Sequence, residues 1–433
     1  MEQRIVAHSD LNCYYASVEM LRNPRLRDVP MAVCGRKEER HGIVLAANYP
    51  AKRKGVKTGM ANWEARRLCP GMYTVPPHYD DYIQFSEFVR ELYSSYTDRI
   101  EPFGLDESWL DFTGCVPSYK AGENLIYEIK ERIKRELGLT VSIGISDNKV
   151  FSKLGSDMRK PDACTSIPRE SFKEIVWPLP IGELLYVGRA TEVKLRRRFI
   201  QTIGDLANTE PENLKRWFGQ VGLVLHAFAN GEDQSMVAPT GFEAPIKSIG
   251  NSHTCPRDLR CDRDAKIMIY AMSESVGARL MELGYYATTV ELFFVNDDMT
   301  ACWTKRRKLP AATNISGEIA DAAYRMFRKA YGHWPSPLRK IGVRGCDLVK
   351  DTTPRQVTVF EDADKTSRRE DLERTINILR DRYGNKCIQR AIMYEDGELS
   401  GVDAKKDHTI HPTGVFNGGM TVSWGGYTTM IMQ

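Results

Sequence analysis

The sequence predicts an α+β protein of several domains, and three observations predict it. The chain has 433 residues, more than one hydrophobic core ordinarily serves. Between Arg4 and Ile145, with residues 23–78 set aside, strand-like and helix-like runs follow the order strand, helix, hairpin, helix, strand. Past Pro161 the pattern changes to short helices, and between Ile246 and Lys350 it returns to longer strands and helices. The first run implies a sheet with helices on one face and the other face open for substrate.

Taken in order, Arg4-Ile5-Val6-Ala7-His8-Ser9-Asp10 is a short strand with an acid at its end. Tyr14 to Met20 reads as a helix that starts directly after that acid, and the backbone N–H groups of a helix start favour phosphate. Residues 23–78 are compact and rich in Gly, Pro and basic side chains. They hold strands at Val29 to Cys34 and Gly42 to Ala47, the basic run Lys52-Arg53-Lys54 and a short helix near Asn62 to Leu68. Asp80 to Asp98 is an amphipathic helix with Ile83, Phe88 and Leu92 among its apolar positions.

Arg99 to Phe103 is extended, and Ser108 to Phe112 alternates, with Ser108, Leu110 and Phe112 on one face and Trp109 and Asp111 on the other. The turn between them presents Asp106 and Glu107 side by side. Leu125, Ile129, Ile133 and Leu137 form the stripe of a second helix, and Val141, Ile143 and Ile145 alternate as a last strand. In the helical stretch, Leu185 to Leu206 looks like a helix-hairpin-helix around Gly188 and Arg189, with Tyr186 where a first glycine is usual. A second glycine turn falls at Gly219 and Gly222. Such hairpins aim backbone N–H groups at DNA phosphates without reading bases.

Residues 238–245 read as a linker. The mixed region after it carries 17 Lys and Arg against 11 Asp and Glu from Ile246 to Lys350, a charge of +6 where the whole chain has +4. Lys247, Arg306, Lys308, Arg339 and Arg344 fall on its strands, and basic residues on adjacent strands suit a phosphate backbone. A charged helix follows from about Lys365 to Tyr383. The last fifty residues are Gly-rich and give no assignable pattern.

Hydrophobic content of 42% and charged content of 27% fit a globular protein with real cores. No apolar run approaches the roughly 20 residues of a membrane span, and Met1-Glu2-Gln3-Arg4 lacks a signal-peptide pattern. Ten cysteines are scattered from Cys13 to Cys387 without a C-x-x-C pair. That argues against a zinc site or a disulfide framework and for reduced thiols in a cytoplasmic protein that binds no membrane.

Three acids at the ends of neighbouring strands, Asp10, Asp106 and Glu107, are the minimum for a two-metal phosphoryl-transfer site, because carboxylates that close repel unless a divalent cation such as Mg²⁺ sits among them. A nucleotidyl cyclase places paired acids on a similar sheet, but would carry neither glycine hairpins nor a basic second domain.

Five stretches in order resemble the Y-family DNA polymerases of the DinB type, the translesion enzymes of bacteria: Asp10-Leu11-Asn12-Cys13-Tyr14-Tyr15-Ala16-Ser17-Val18-Glu19, Ala47-Asn48-Tyr49-Pro50-Ala51, Leu105-Asp106-Glu107-Ser108, Gly144-Ile145-Ser146 with Asn148-Lys149-Val150-Phe151-Ser152-Lys153, and Arg159-Lys160-Pro161. The resemblance covers roughly residues 4–385. It implies a right hand with a ferredoxin-like palm at 1–11 and 79–166, small fingers at 12–78, a helix-hairpin-helix thumb at 167–237, a mixed α/β little finger at 246–350 and a tail at 351–433.

It further implies template-directed addition of dNTPs to a primer, with low fidelity and tolerance of lesions. Asp10, Asp106 and Glu107, with the Leu11 carbonyl, would hold two Mg²⁺ ions, for which Mn²⁺ substitutes. Cys13, Tyr14, Tyr15, Tyr49, Lys52 or Arg53, and Lys160 would meet the nucleotide, with Tyr15 as the steric gate against ribose. Lys52 stands where the family usually has Arg and Ala46 where it often has Thr, which touches nucleotide affinity. Gln356-Val357-Thr358-Val359-Phe360 resembles the peptide by which bacterial polymerases dock on the sliding clamp, through Gln356, Val359 and Phe360. A monomer is expected. The alternative is a catalytically weak accessory member that binds DNA in the damage response. It predicts the loss of an acid, and all three are present.

Overall fold

The structure, a computed structural model, describes residues 3–35, 42–242, 245–353, 363–402, 421–424 and 427–430. The chain divides into two compact units, Met1–Ala244 with Val415–Gln433, and Pro245–Gly414.

In the first unit β1 (Val6–Leu11) leads into α1 (Tyr14–Arg22). A small sheet follows from β2 (Met31–Cys34), β3 (Val44–Ala47), α2 (Tyr49–Arg53), α3 (Asn62–Leu68) and β4 (Tyr73–Val75), in the order β3-β2-β4. Its core is made of small side chains, among them Ala32, Ala47, Ala51, Ala65 and Cys69. Then come α4 (Tyr79–Ser94), β5 (Ile100–Pro102), β6 (Glu107–Asp111), α5 (Tyr119–Leu137), β7 (Val141–Ser146), α6 (Lys149–Met158) and β8 (Cys164–Ile167). The main sheet is ordered β5-β6-β1-β7-β8, with β1 antiparallel to both β6 and β7.

Ala7, Leu110, Ile143 and Ile145 share one face of that sheet. They pack against Val89 and Leu92 of α4 and Ile126, Ile129 and Ile133 of α5. The other face is not left open as the strand pattern implied. Helix α6 lies on it, and Val237 fills the space between Val6 and Trp109. The reason is Gly144. A Cβ there would sit 2.0 Å from the Ser152 carbonyl oxygen and 2.4 Å from the Ser156 nitrogen, so only glycine lets α6 come this close. Trp109, His8 and Asp111, on the side the alternation marks as outward, are therefore buried.

Helices α7 (Phe172–Val176), α8 (Arg189–Arg196), α9 (Ile203–Ala207), α10 (Pro211–Phe218) and α11 (Gln220–Ala229) share a core with Leu195, Ile203, Leu214 and Phe228 at its centre. The turn before α8 holds Tyr186 at φ 69°, the left-handed conformation that glycine normally supplies. Gly219, at φ 64°, joins α10 to α11. At Gly222 a Cβ would lie 2.3 Å from the Leu214 carbonyl oxygen.

The second unit runs β9 (Ser248–Leu259), α12 (Asp262–Glu282), β10 (Tyr285–Asn296), β11 (Cys302–Thr313), α13 (Ser316–Tyr331), β12 (Leu338–Lys350). The element order repeats that of the main sheet of the first unit. The strand order, β11-β10-β12-β9, does not: the first strand, β9, lies at an edge here, whereas β1 is central in the first unit. Val290, Leu292, Phe294, Ile341 and Val343 meet α12 and α13 in one core.

The charged helix expected after this unit is α14 (Ala363–Tyr383), and part of the stretch left unassigned also belongs here: a short turn at Ala391–Tyr394 holds the buried Met393, and α15 (Gly397–Ser400) holds the buried Leu399. A terminal hairpin pairs β13 (Thr421–Trp424) with β14 (Tyr427–Met430). Gln356, Val359 and Phe360 lie outside the described residues. All ten cysteines are free, and among the described residues no helix is long and apolar enough to cross a membrane.

Candidate active site

β1 and β6 pair so that Asp10 stands directly opposite Glu107. Alternation puts both side chains on the face that carries His8 and Trp109. Asp106 precedes β6, and its carbonyl accepts the Leu11 N–H at 2.9 Å, so the three acids start from two adjacent backbones. The chain reaches β6 through Gly104 at φ 101°, where a Cβ would stand 3.4 Å from Asp106 Oδ1.

Helix α6, which the sequence pattern did not mark, and the residues just past its end bring charge to these acids. Lys160 Nζ is 2.6 Å from Asp10 Oδ2 and 2.7 Å from Asp157 Oδ1. Lys153 Nζ is 2.7 Å from Glu107 Oε2 and 3.7 Å from Asp157 Oδ2. The buried His8 ring stands behind Glu107, with Nδ1 2.8 Å from Ser156 Oγ and Nε2 3.3 Å from Glu107 Oε2. Ser156 Oγ already donates to the Lys153 carbonyl, so it accepts from His8 Nδ1–H. Burial, then Lys153, hold the imidazole well below its ordinary range.

Burial, then the neighbouring Glu107, push the Asp10 carboxyl up to about 6 in spite of Lys160. Burial, then Glu107 and Asp10, push Asp106 up to about 7. Burial would raise Asp157 as well, but Lys153 and Lys160 outweigh it and hold that carboxyl low. As the described side chains stand, no three of them form a closed metal cage, since ammonium groups sit on Asp10 and Glu107. The donor set nonetheless fits hard divalent cations. It offers carboxylate oxygens, two of them on groups whose pKa burial and then mutual repulsion push up, and a cation relieves that repulsion.

Beside the acids α1 begins at Cys13, in the left-handed conformation (φ 50°, ψ 41°), and no side chain caps its first turn. The Tyr49 side chain meets that of Cys13. Asn48 fixes the start of α2. Its Oδ1 accepts from Ala51 and Met31 N–H, each at 3.1 Å, while Nδ2 donates to the Leu26 and Val29 carbonyls. The Lys52 ammonium stands 5.2 Å from the centre of the Tyr49 ring, and Arg53 is exposed on the same short helix. Tyr14 is buried, its hydroxyl bonded to the Tyr82 carbonyl, whereas Tyr15 is half-buried and stacks on the Tyr82 ring.

Asn12 is a contributor that residue type did not disclose. It donates to Ser142 Oγ at 2.9 Å and accepts the Asp162 N–H at 2.8 Å, which ties the chain after Lys160 to the start of α1.

Comparison with known proteins agrees with this geometry. Residues 9–157 match the impB/mucB/samB family and residues 246–359 match the C-terminal domain of that family. DNA polymerase IV of Acetivibrio thermocellus is 47% identical over 92% of this chain and 100% of its own length. DNA polymerase IV 1 of Bacillus subtilis is 34% identical over 94% of this chain and 97% of its own. The chain belongs to the Y family of DNA polymerases. Two solved structures share its fold, each covering 80% of this chain and 99% of their own. One is a Y-family DNA polymerase chimera of Dbh and Dpo4 (TM-score 0.71) and the other a post-insertion binary complex of Dbh DNA polymerase (0.55). Both are 24% identical to it and bear on the fold alone.

In this Y-family chain several of the basic residues singled out from the sequence have acidic partners within their own unit. Glu291 of β10 lies between Arg306 of β11 and Arg344 of β12, at 3.6 and 3.5 Å, on the face turned away from the helices. Lys308 is opposite Thr289 on that same face. Arg339 has an acidic partner of its own. A register shift between Leu338 and Lys340 leaves it beside Asp258, at 3.4 Å, and Lys340 takes the outward position over Phe293. Lys247 is exposed just before β9. Gly188 caps α8, and the exposed Arg189 is its first residue.

Proposed function

We propose that this translesion DNA polymerase adds dNTPs to a primer 3′-hydroxyl through a two-metal centre held by Asp10, Asp106, Glu107 and the Leu11 carbonyl. The observation that carries the reading is the pairing of Asp10 with Glu107, with Asp106 bonded through its carbonyl to Leu11. Two Mg²⁺ ions, or Mn²⁺ in their place, would lower the pKa of the primer hydroxyl and stabilise charge on the attacking and leaving oxygens. Asp10 and Asp106 would serve both ions and Glu107 one of them. The N–H groups at Cys13, Tyr14 and Tyr15, the Tyr49 hydroxyl, the Lys160 ammonium and Lys52 or Arg53 hold the triphosphate in line for attack. Tyr15 lies under the sugar and excludes a 2′-hydroxyl.

Residues 1–11 and 79–166 act as palm, 12–78 as fingers, 167–237 as thumb, 238–245 as linker and 246–350 as little finger. The turns at Gly188–Arg189 and Gly219–Gly222 and the basic residues Lys247, Arg306, Lys308, Arg339 and Arg344 hold the primer-template backbone. Gln356, Val359 and Phe360 dock on a sliding clamp. The enzyme works in the cytoplasm as a monomer. The accessory reading has less support, since no acid is missing.

Primer extension by purified protein, on undamaged and abasic templates with each dNTP alone, tests the proposal. Magnesium-dependent extension that tolerates the abasic site is expected. Absence of any extension would overturn it.

A further inference from the structure

Two lysines hold acids of the site, and one carboxylate outside both strands holds both lysines a second time. Lys160 Nζ bridges Asp10 (2.6 Å) and Asp157 (2.7 Å), and Lys153 Nζ bridges Glu107 (2.7 Å) and Asp157 (3.7 Å). Asp157 lies four residues after Lys153, the spacing of neighbours along a helix face, and Lys160 follows just past the end of that helix. A divalent cation and an ammonium group cannot share one carboxylate at contact distance without strong repulsion. Cation binding at Asp10 and Glu107 therefore releases both lysines from the strand acids. Without Asp157, two partly buried ammonium groups would be left unpaired beside doubly charged ions. With it, each keeps a partner.

We propose that Asp157 is a positioning residue: it takes over Lys153 and Lys160 when divalent cations take Glu107 and Asp10, and so keeps both ammonium groups at the site for the phosphates of the nucleotide. This rests on the two-metal reading above. It extends that reading to a residue that touches neither the ions nor the reacting atoms, and to Lys153, which none of the sequence motifs had given a role.

The test is Mn²⁺ binding to the full chain without DNA or nucleotide, read from the electron paramagnetic resonance of free Mn²⁺. Asp157→Asn is expected to weaken binding about five- to tenfold, the scale of one or two partly exposed ion pairs. In a Lys153→Met/Lys160→Met background the same change should weaken it less than twofold, because nothing is left to hold. Asp157→Glu, which keeps the charge, should bind within about twofold of wild type. Equal losses in both backgrounds would mean that Asp157 acts as a bare negative charge, and would overturn the proposal. So would an unchanged Asp157→Asn protein beside a wild type that binds. A wild type that binds no Mn²⁺ would overturn the two-metal reading together with this one.

Discussion

The ring of Tyr15 lies flat on that of Tyr82, with centroids 4.3 Å apart and planes 10° apart. Tyr79 meets both rings edge-on. One face of Tyr15 is thus fixed by packing, which is what a steric gate needs, since a ring that can swing excludes nothing. Tyr15→Ala is expected to raise rCTP over dCTP insertion opposite template G by about 100-fold, the scale of a misplacement of order 1 Å undone. It should also cost about 1 kcal/mol of stability with the lost stack. Tyr14→Ala, at a buried position, should cost about 3 kcal/mol or more and lower both insertions together. An unchanged ratio in folded Tyr15→Ala protein would rule out the gate.

Asp106→Asn and Glu107→Gln should each slow primer extension by about 10²-fold or more while primer-template affinity stays within a few-fold. Each removes an anionic ligand, whereas DNA is gripped elsewhere. Single-turnover extension beside a fluorescence anisotropy titration checks both halves. Extension at wild-type rate in either variant would remove that residue from the metal centre.

Gly144→Ala would drive a methyl group into the Ser152 carbonyl, a backbone atom that cannot rotate away. The expected loss is about 3 kcal/mol or more, read as a lower midpoint in urea. The shift of α6 should also carry Lys153 and Lys160 off the acids, so activity should fall at temperatures where the variant is still folded.

Neutralising Arg306 and Lys308 together should weaken DNA binding at all sequences alike and make the slope of log K against log salt shallower by about 1 to 2. Arg306 also leans on Glu291 and Asp347, so Lys308→Gln alone should carry a larger share than Arg306→Gln alone. A sequence-selective loss would contradict phosphate contact.

In the second unit Arg257 donates to both oxygens of Asp264 at 2.9 Å and to Asp396 at 2.5 Å. The Arg257 hydrogen bond, then the Leu399 N–H, hold the Asp396 carboxyl below its ordinary range. Burial would raise Asp264, but Arg257 outweighs it. Both folded-state values lie below the unfolded ones, so their contribution is complete above about pH 5 and is lost as pH falls towards 3. Thermal midpoints of Arg257→Met should depend less on pH across that window than those of wild type. Parallel curves would mean the pairs add nothing.

The acids, the tyrosines and the glycine turns were legible in the sequence because each is a local pattern: an acid at a strand end, an aromatic at a helix start, glycine between helices. Helix α6 was not, because Asn148 to Met158 is short and buries Lys149, Ser152, Gly155 and Ser156 beside Val150, Phe151 and Leu154, residue types that do not announce a packed face. Missing it hid the covered face of the sheet, the second role of Gly144 and the lysine network. The pairing of Arg339 with Asp258 was hidden for a related reason: it sits at a register shift between Leu338 and Lys340 that leaves no mark in residue type.

On α12, Glu274 receives Arg380 at 3.1 Å and Arg390 at 2.9 Å, and Met393 and Leu399 close over the same helix region. The family's C-terminal domain ends at residue 359, short of all four partners. A fragment cut at that border would leave the Glu274 carboxylate without its two arginines and bare an apolar seam along α12, a costly combination. Shared ancestry marks one border for this region and mechanical self-sufficiency marks another, some forty residues further on. For anyone cloning, truncating or grafting the region, the second border is the one at which to cut.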